Sequence, residues 1–187
     1  MTHFTELLVL RDPDFPEYQL VASLYSKLHR ALAARMSIQI AVSFPGYSLS
    51  ALQLGDRIRL IGTPIDLKPM AALDWLGGMR SFVTVGAIQE VPVNAAHRTL
   101  RRVQAKSNPD RLRRRQMRRH GITTEEARLR IPDASAEKLR LPYVQLSSSS
   151  TGQQFRLFLK LGSPEPTAVA GNFNAFGLSS TATIPIF

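Results

Sequence analysis

Phe4-Thr5-Glu6-Leu7-Leu8-Val9-Leu10 reads as a strand, and Arg11-Asp12-Pro13-Asp14 ends it. From residue 16 to about residue 34, apolar Leu20, Val21, Leu24, Leu28, Ala31 and Leu32 recur at helical spacing. This strand–helix pair sets the pattern for the first half of the chain. Ile38-Gln39-Ile40-Ala41-Val42-Ser43-Phe44 begins with period two and stops at Pro45-Gly46, and Arg57-Ile58-Arg59-Leu60-Ile61-Gly62 alternates cleanly. A helix is predicted from about Ile65 to Leu76, closed by Gly77-Gly78, and Phe82-Val83-Thr84-Val85-Gly86 gives a fourth strand. The order β-α-β-β-α-β predicts an α+β fold that opens with a ferredoxin-like (RRM-like) domain, four antiparallel strands with two helices on one face. RNA-recognition modules share that plan with unrelated enzymes, so it does not by itself indicate RNA. No G-x-F/Y-G-F-type segment supplies the aromatics on which such sheets stack bases.

After Val91-Pro92-Val93 the chain changes character, and a boundary is expected near residue 93. Residues 1–93 would form the first domain and residues 94–187 a smaller α+β domain. Its mark is an arginine-rich helix at about 108–120: Ser107-Asn108-Pro109-Asp110 offers a capping side chain and a first-turn proline, and His120-Gly121 ends it. Only Leu112 and Met117 in that helix are apolar, so it cannot bury a full face. Thr123-Thr124-Glu125-Glu126 is a capping box opening a short helix that Pro132 stops. Strand-like runs at 141–146 and 154–161 flank Ser147-Ser148-Ser149-Ser150-Thr151-Gly152, and a Gly-, Ser- and Thr-rich tail comes after them.

The 187 residues carry 24 Lys+Arg against 14 Asp+Glu, a formal charge of +10. With 44% hydrophobic and 20% charged residues the composition is globular, which excludes a disordered chain. Charge, Gly or Pro breaks every apolar run well short of the ~20 residues that span a bilayer, so no membrane partner is expected. The first residues show no basic segment leading into an apolar one, so no secretory signal is expected. Cysteine is absent, which excludes disulfides and thiolate chemistry and suits the cytoplasm. The excess charge is concentrated: residues 98–119 hold ten basic side chains and one acid, Asp110, and nine of the ten are arginine. A planar guanidinium fork pairs bidentately with phosphate and with guanine edges, so this segment points to nucleic acid.

Of the four histidines, His3, His29, His97 and His120, no two have metal-ligand spacing. A nucleophile elbow, a phosphate-cradling loop and a tight acidic cluster are also missing from the sequence, so no metal or cofactor is expected. What remains is metal-free RNA cleavage, because RNA carries its own nucleophile, the ribose 2′-OH, and needs only a base, in-line geometry and a counter-charge. An imidazole, with an unperturbed pKa of ~6.5, suits the base role. His29, ending the first amphipathic helix in Lys27-Leu28-His29-Arg30, is the candidate; on spacing alone a helix-capping or surface role stays open. His120 reads as a helix cap or a phosphate contact. His3 and His97 have no support beyond polarity.

The block at residues 103–120 (Val-Gln-Ala-Lys-Ser-Asn-Pro-Asp-Arg-Leu-Arg-Arg-Arg-Gln-Met-Arg-Arg-His) closely resembles the arginine-rich helix of the subtype I-F CRISPR precursor-RNA endoribonucleases. So do Lys27-Leu28-His29, Val42-Ser43-Phe44-Pro45, Glu125-Glu126-Ala127-Arg128, Ser150-Thr151-Gly152-Gln153, Phe155-Arg156-Leu157-Phe158 and Gly177-Leu178-Ser179, in order and at matching length. The resemblance implies metal-independent cleavage of the CRISPR repeat hairpin at the 3′ base of its stem. It leaves a 2′,3′-cyclic phosphate, and the enzyme stays on the mature crRNA beside the other subunits of a surveillance complex. It further implies that His29 is the general base and that Ser148 holds the attacking ribose, a role that composition alone would not give to a serine run. By the same resemblance, Arg102 and Gln104 read base edges at the foot of the stem and Phe155 stacks on the last base pair. Arg115 contacts the stem, Arg114, Arg118 and Arg119 are phosphate contacts, and His120 belongs to the same surface. One departure is visible: where the family commonly has a Tyr near the active site this chain has Phe176, so a hydroxyl is missing there and only packing beside His29 is expected.

Two other readings fit parts of the sequence. A hairpin-binding subunit of the same complex that cuts weakly or not at all is favoured only by Phe176. A basic DNA-binding or ribosomal protein explains the arginines but not the pairing of His29 with Ser148.

Overall fold

The structure, a computed structural model, describes residues 1–105, 109–133, 138–148 and 151–187. It is α+β and divides into two compact units, Met1–Arg102 with Leu141–Phe187, and Val103–Arg140. The boundary expected near residue 93 therefore falls inside the first unit. The reason is long-range pairing: strands from beyond residue 93 close sheets with one another and pack on the first half, and nothing local in the sequence announces that.

In the first unit, β1 (His3–Val9), α1 (Glu17–Ala34), β2 (Ala41–Ser43), β3 (Arg57–Gly62), α2 (Pro64–Ala72) and β4 (Val83–Val85) succeed one another in chain order. The sheet runs β2-β3-β1-β4, with the short β5 (Gln89–Glu90) pairing beside β4 on β1. All pairs are antiparallel, with Leu7 opposite Ile58 and Leu7 also opposite Val85. Thr5, Leu7 and Val9 alternate inward on β1, while Leu20, Val21, Leu24, Tyr25, Leu28 and Leu32 form the buried stripe of α1. On β3 the buried Arg59 bridges the sheet, taking cross-strand Glu6 Oε1 at 2.6 Å and the Phe187 carbonyl at 2.9 Å. Its guanidinium lies 3.8 Å from the Phe187 ring centroid and 4.9 Å from that of Phe4.

Several elements are shorter than their sequence pattern suggests. β2 covers only three residues because the carbonyl of Ile38 accepts from Phe173 N at 2.9 Å, drawing the strand's first half toward the C-terminal segment. α2 has the Thr63/Asp66 capping box but stops at Ala72. The Trp75 indole donates to the Met70 carbonyl at 3.1 Å, an acceptor that a continuing helix would use, and a 3₁₀ helix at Gly77–Phe82 comes next. The remaining strands are β6 (Ala96–Arg98), β7 (Leu100–Val103), β8 (Tyr143–Ser147), β9 (Gln154–Leu161) and β10 (Ile184–Ile186). β6 pairs with β10, and β7-β9-β8 form a three-stranded sheet whose β8 packs along α1.

The second unit is a helix pair, α3 (Pro109–His120) and α4 (Thr124–Arg130). The capping box of α4 is present, with Thr123 Oγ1 accepting from Glu126 N at 3.2 Å and Glu126 Oε2 accepting from Thr123 N at 2.9 Å. The capping side chain expected for α3 at Ser107-Asn108 lies outside the described residues. Among the described residues no helix is long and apolar enough to cross a membrane.

Candidate active site and nucleic-acid interface

His29 projects from the last third of α1, one helical turn after the buried Tyr25 and beside the buried Leu28. Its Nδ1 lies 2.8 Å from the carbonyl of Ala175. A carbonyl only accepts, so Nδ1 must carry the proton, and the neutral ring then presents the lone pair of Nε2. The ring stacks on Phe176, centroids 3.7 Å apart and planes within 5°. Stacking and hydrogen bond together leave the imidazole one orientation.

The turn that supplies both contacts is itself pinned at several points. Asn174 Oδ1 accepts from Phe176 N at 2.9 Å and Leu178 N at 3.2 Å, and Asn174 N donates to the Leu178 carbonyl at 2.9 Å. Gly177 sits at φ +69°, and a Cβ there would run into the Val42 side chain and lie 2.9 Å from Val42 N. That close approach lets Val42 N donate to the Gly177 carbonyl at 2.9 Å, tying the turn to β2. From below, the Tyr25 hydroxyl donates to the Phe176 carbonyl at 2.8 Å. Burial pushes the Tyr25 hydroxyl far above the ordinary phenol range, so it stays protonated and a donor. Tyr25 and Asn174 escaped the sequence reading; the only available signal was the i,i+4 spacing of Tyr25 and His29, which places both on one helix face.

Ser148 comes just after β8, in the hairpin to β9. Its N donates to the Gln153 carbonyl at 2.9 Å, its carbonyl accepts from Gly152 N at 2.8 Å, and its Oγ accepts from Thr151 N at 3.3 Å. Residues 149–150 of that hairpin lie outside the described residues. His29 and Ser148 thus belong to one compact unit, on a helix and on the end of the strand packed along it.

Arg102 and Phe155 are brought together: neighbouring β7 and β9 carry them, with the guanidinium carbon 5.7 Å from the ring centroid. Arg102 is exposed and Phe155 half-buried. Gln104 is exposed, just past the end of β7.

In the second unit α3 has two unlike faces. Leu112, Arg113, Gln116 and Met117 are half-buried, and no residue of the helix is fully buried. Arg111, Arg114, Arg115, Arg118 and Arg119 line one open depression. Arg113 stands apart from them: it donates twice to the Ile131 carbonyl, at 2.9 and 2.7 Å, and pairs with Asp133 at 2.6 Å and Asp110 at 3.2 Å. It clamps α3 to the end of α4, which the sequence could not distinguish from its neighbours' roles. His120 is exposed at the helix end, where Gly121 at φ +62° donates to the Met117 carbonyl at 2.9 Å. Among the described residues no group of three His, Asp or Glu converges as a metal site would require.

The molecule is thus an α+β protein with a histidine–carbonyl–aromatic cluster in one unit and an arginine-lined helical surface in the other. A family model described as "CRISPR-associated protein (Cas_Csy4)" matches residues 4–187. A curated relative from Pseudomonas aeruginosa (strain UCBPP-PA14), named "CRISPR-associated endonuclease Cas6/Csy4", is 46% identical over the full length of both chains. One of the same name from Escherichia coli (strain UTI89 / UPEC) is 38% identical, again over both full lengths. The chain belongs to the Cas_Csy4 family of CRISPR-associated proteins.

Proposed function

We propose that this protein is the endoribonuclease that matures CRISPR RNA, cutting the repeat hairpin at the 3′ base of its stem without a metal ion. The carrying observation is the fixed imidazole, with Nδ1 committed to the Ala175 carbonyl and the ring held by Phe176. Its Nε2 takes the proton of the 2′-OH just upstream of the cut, and the 2′-oxygen attacks the adjacent phosphorus. The bond to the 5′-oxygen breaks and that oxygen takes up a proton, leaving a 2′,3′-cyclic phosphate and a 5′-hydroxyl. Ser148 holds the attacking ribose. Phe176 packs on His29 and gives no proton, so the cut relies on base and ribose contacts alone.

Recognition is divided by chemistry. Arg102 to guanine and Gln104 to adenine are the pairings that donor and acceptor geometry favours. Phe155 covers the end base pair, and Arg114, Arg115, Arg118, Arg119 and His120 hold stem phosphates. A-form major grooves are too narrow for side chains in mid-helix. A short hairpin, with an end and a loop, is therefore the target that suits an arginine helix. The product stays bound and joins the other subunits of a crRNA-guided surveillance complex in the cytoplasm.

The test is a hairpin repeat RNA in EDTA, beside a matched RNA lacking the 2′-OH upstream of the cut. Cleavage of the first alone, lost in His29→Ala, is expected. Tight binding of both with cleavage of neither would make the protein a hairpin cap instead.

A further inference from the structure

The three-stranded sheet β7-β9-β8 has two unlike sides. One is packed inward and carries Val144, Leu146, Leu157 and Leu159, all buried. Alternation along the strands turns Tyr143, Arg156, Phe158 and Lys160 to the other side. The register sets Tyr143 opposite Phe158, with ring centroids 5.4 Å apart. The Arg156 guanidinium carbon lies 4.7 Å from the Tyr143 centroid. Arg102 leans on Phe155 of the inward side, so alternation in β7 turns Arg101 outward. Arg101, Arg156 and Lys160 are exposed, Tyr143 is 40% exposed, and none of the three strands contains an acidic residue.

We propose that this outer face is a second RNA-binding surface, one that takes an unpaired single strand of a few nucleotides. It adds to the hairpin reading and uses none of the residues assigned to it. Two adjacent rings, Tyr143 exposed and Phe158 half-buried, offer π-surface for unstacked bases, and three cations on strands that carry no acid offer charge for the connecting phosphates. That combination is how single strands are held without sequence preference. A duplex would leave the rings unused, because its bases are already stacked on one another. A protein partner would have to strip water from three cations for which these strands supply no counter-charge. The nearest source of such a strand is unpaired RNA flanking a hairpin, although an oligonucleotide alone contains everything the surface needs.

Oligouridine of about 12 nucleotides, within the span such surfaces cover, is the probe, with binding to the full chain read by fluorescence anisotropy. A copy bearing 4-thiouridine is cross-linked and the attachment points are mapped by mass spectrometry. The expected result is cross-links on Tyr143 or Phe158, with affinity falling about fivefold or more in Tyr143→Ala/Phe158→Ala. Arg156→Gln/Lys160→Gln keeps both rings and tests the same surface without touching the cross-strand ring pair; it should flatten the salt dependence by about two phosphate contacts. Hairpin affinity should be unchanged in both variants. Cross-links confined to α3, or oligouridine binding by the Arg156→Gln/Lys160→Gln variant equal to that of the parent, overturns the proposal whatever happens at His29.

Discussion

His29 and the arginines of α3 both sit on helices, but they are held in opposite ways. Around His29 the contacts are fixed: a carbonyl, a stacked ring, a buried tyrosine that donates to the carbonyl of the stacked residue, and a glycine whose Cβ would meet Val42. On α3 the five arginines of the depression are exposed, on a helix with no fully buried residue. The contrast fits the roles proposed for the two regions. A general base works only if its lone pair meets one proton at one angle, which favours a side chain fixed beforehand. A cationic face gains from charge density over a broad area, and long mobile side chains can find phosphates after contact. Arg113, half-buried on the same helix, joins it to the end of α4 instead.

Substitutions should separate the two regions by which measurement moves. His29→Ala should lower the single-turnover cleavage rate by ~10²–10⁴-fold, the ordinary contribution of a general base, while hairpin affinity changes little. Arg118→Ala should do the reverse, weakening binding and flattening its salt dependence by about one phosphate contact with little change in the rate at saturating protein. If both substitutions move the same quantity, the division between the two regions is wrong.

Gly177→Ala puts a side chain where φ is +69° and Val42 stands in the way. Backbone strain of that kind costs about 1–3 kcal/mol before any clash. A lower Tm together with slower cleavage is expected, because the turn that holds the imidazole must shift. Arg113→Ala leaves the Ile131 carbonyl and Asp133 without their donor and should destabilise the helix pair by about 1–3 kcal/mol. Hydrogen exchange on α3 and α4 checks this, and Arg115→Ala is the control, at about 0.5 kcal/mol or less. Equal protection in the two variants would show that Arg113 is merely another surface cation. The smallest effect on cleavage among these site substitutions belongs to Tyr25→Phe, which removes one buried hydrogen bond worth about 1 kcal/mol. Cleavage should slow modestly with affinity unchanged, and a fully unaltered rate would mean that the turn stands without the tyrosine.

Where the pattern was local, the fold could be read. The stripe of α1, the capping box of α4 and the limits of β9 come from spacing within one element, since burial of a face dictates the period. α2 was overextended because the apolar pattern runs past Ala72, while the Trp75 indole takes the carbonyl that the next turn would have needed. β7 was hidden inside the basic run, and β6 shows no pattern until β10 arrives beside it. Much of the site was hidden for the same reason: nothing near Asn174 marks it as a turn anchor, and nothing near Arg113 separates it from Arg114.

From the residues alone came the α+β class, the cationic helix with the expectation of a nucleic-acid partner, and the candidate histidine, while the family came from the resemblance of motif blocks. The class and the helix rest on composition and on contacts within a few residues, which a linear chain records. Only the tertiary structure decided which nitrogen of His29 carries the proton, because the deciding carbonyl lies 146 residues away along the chain. It also decided that Phe176 lies flat on that ring, that Arg102 meets Phe155 and that Arg113 serves the fold. Each is a contact between distant parts of the chain, and such contacts exist only once the hydrophobic core has brought the segments together.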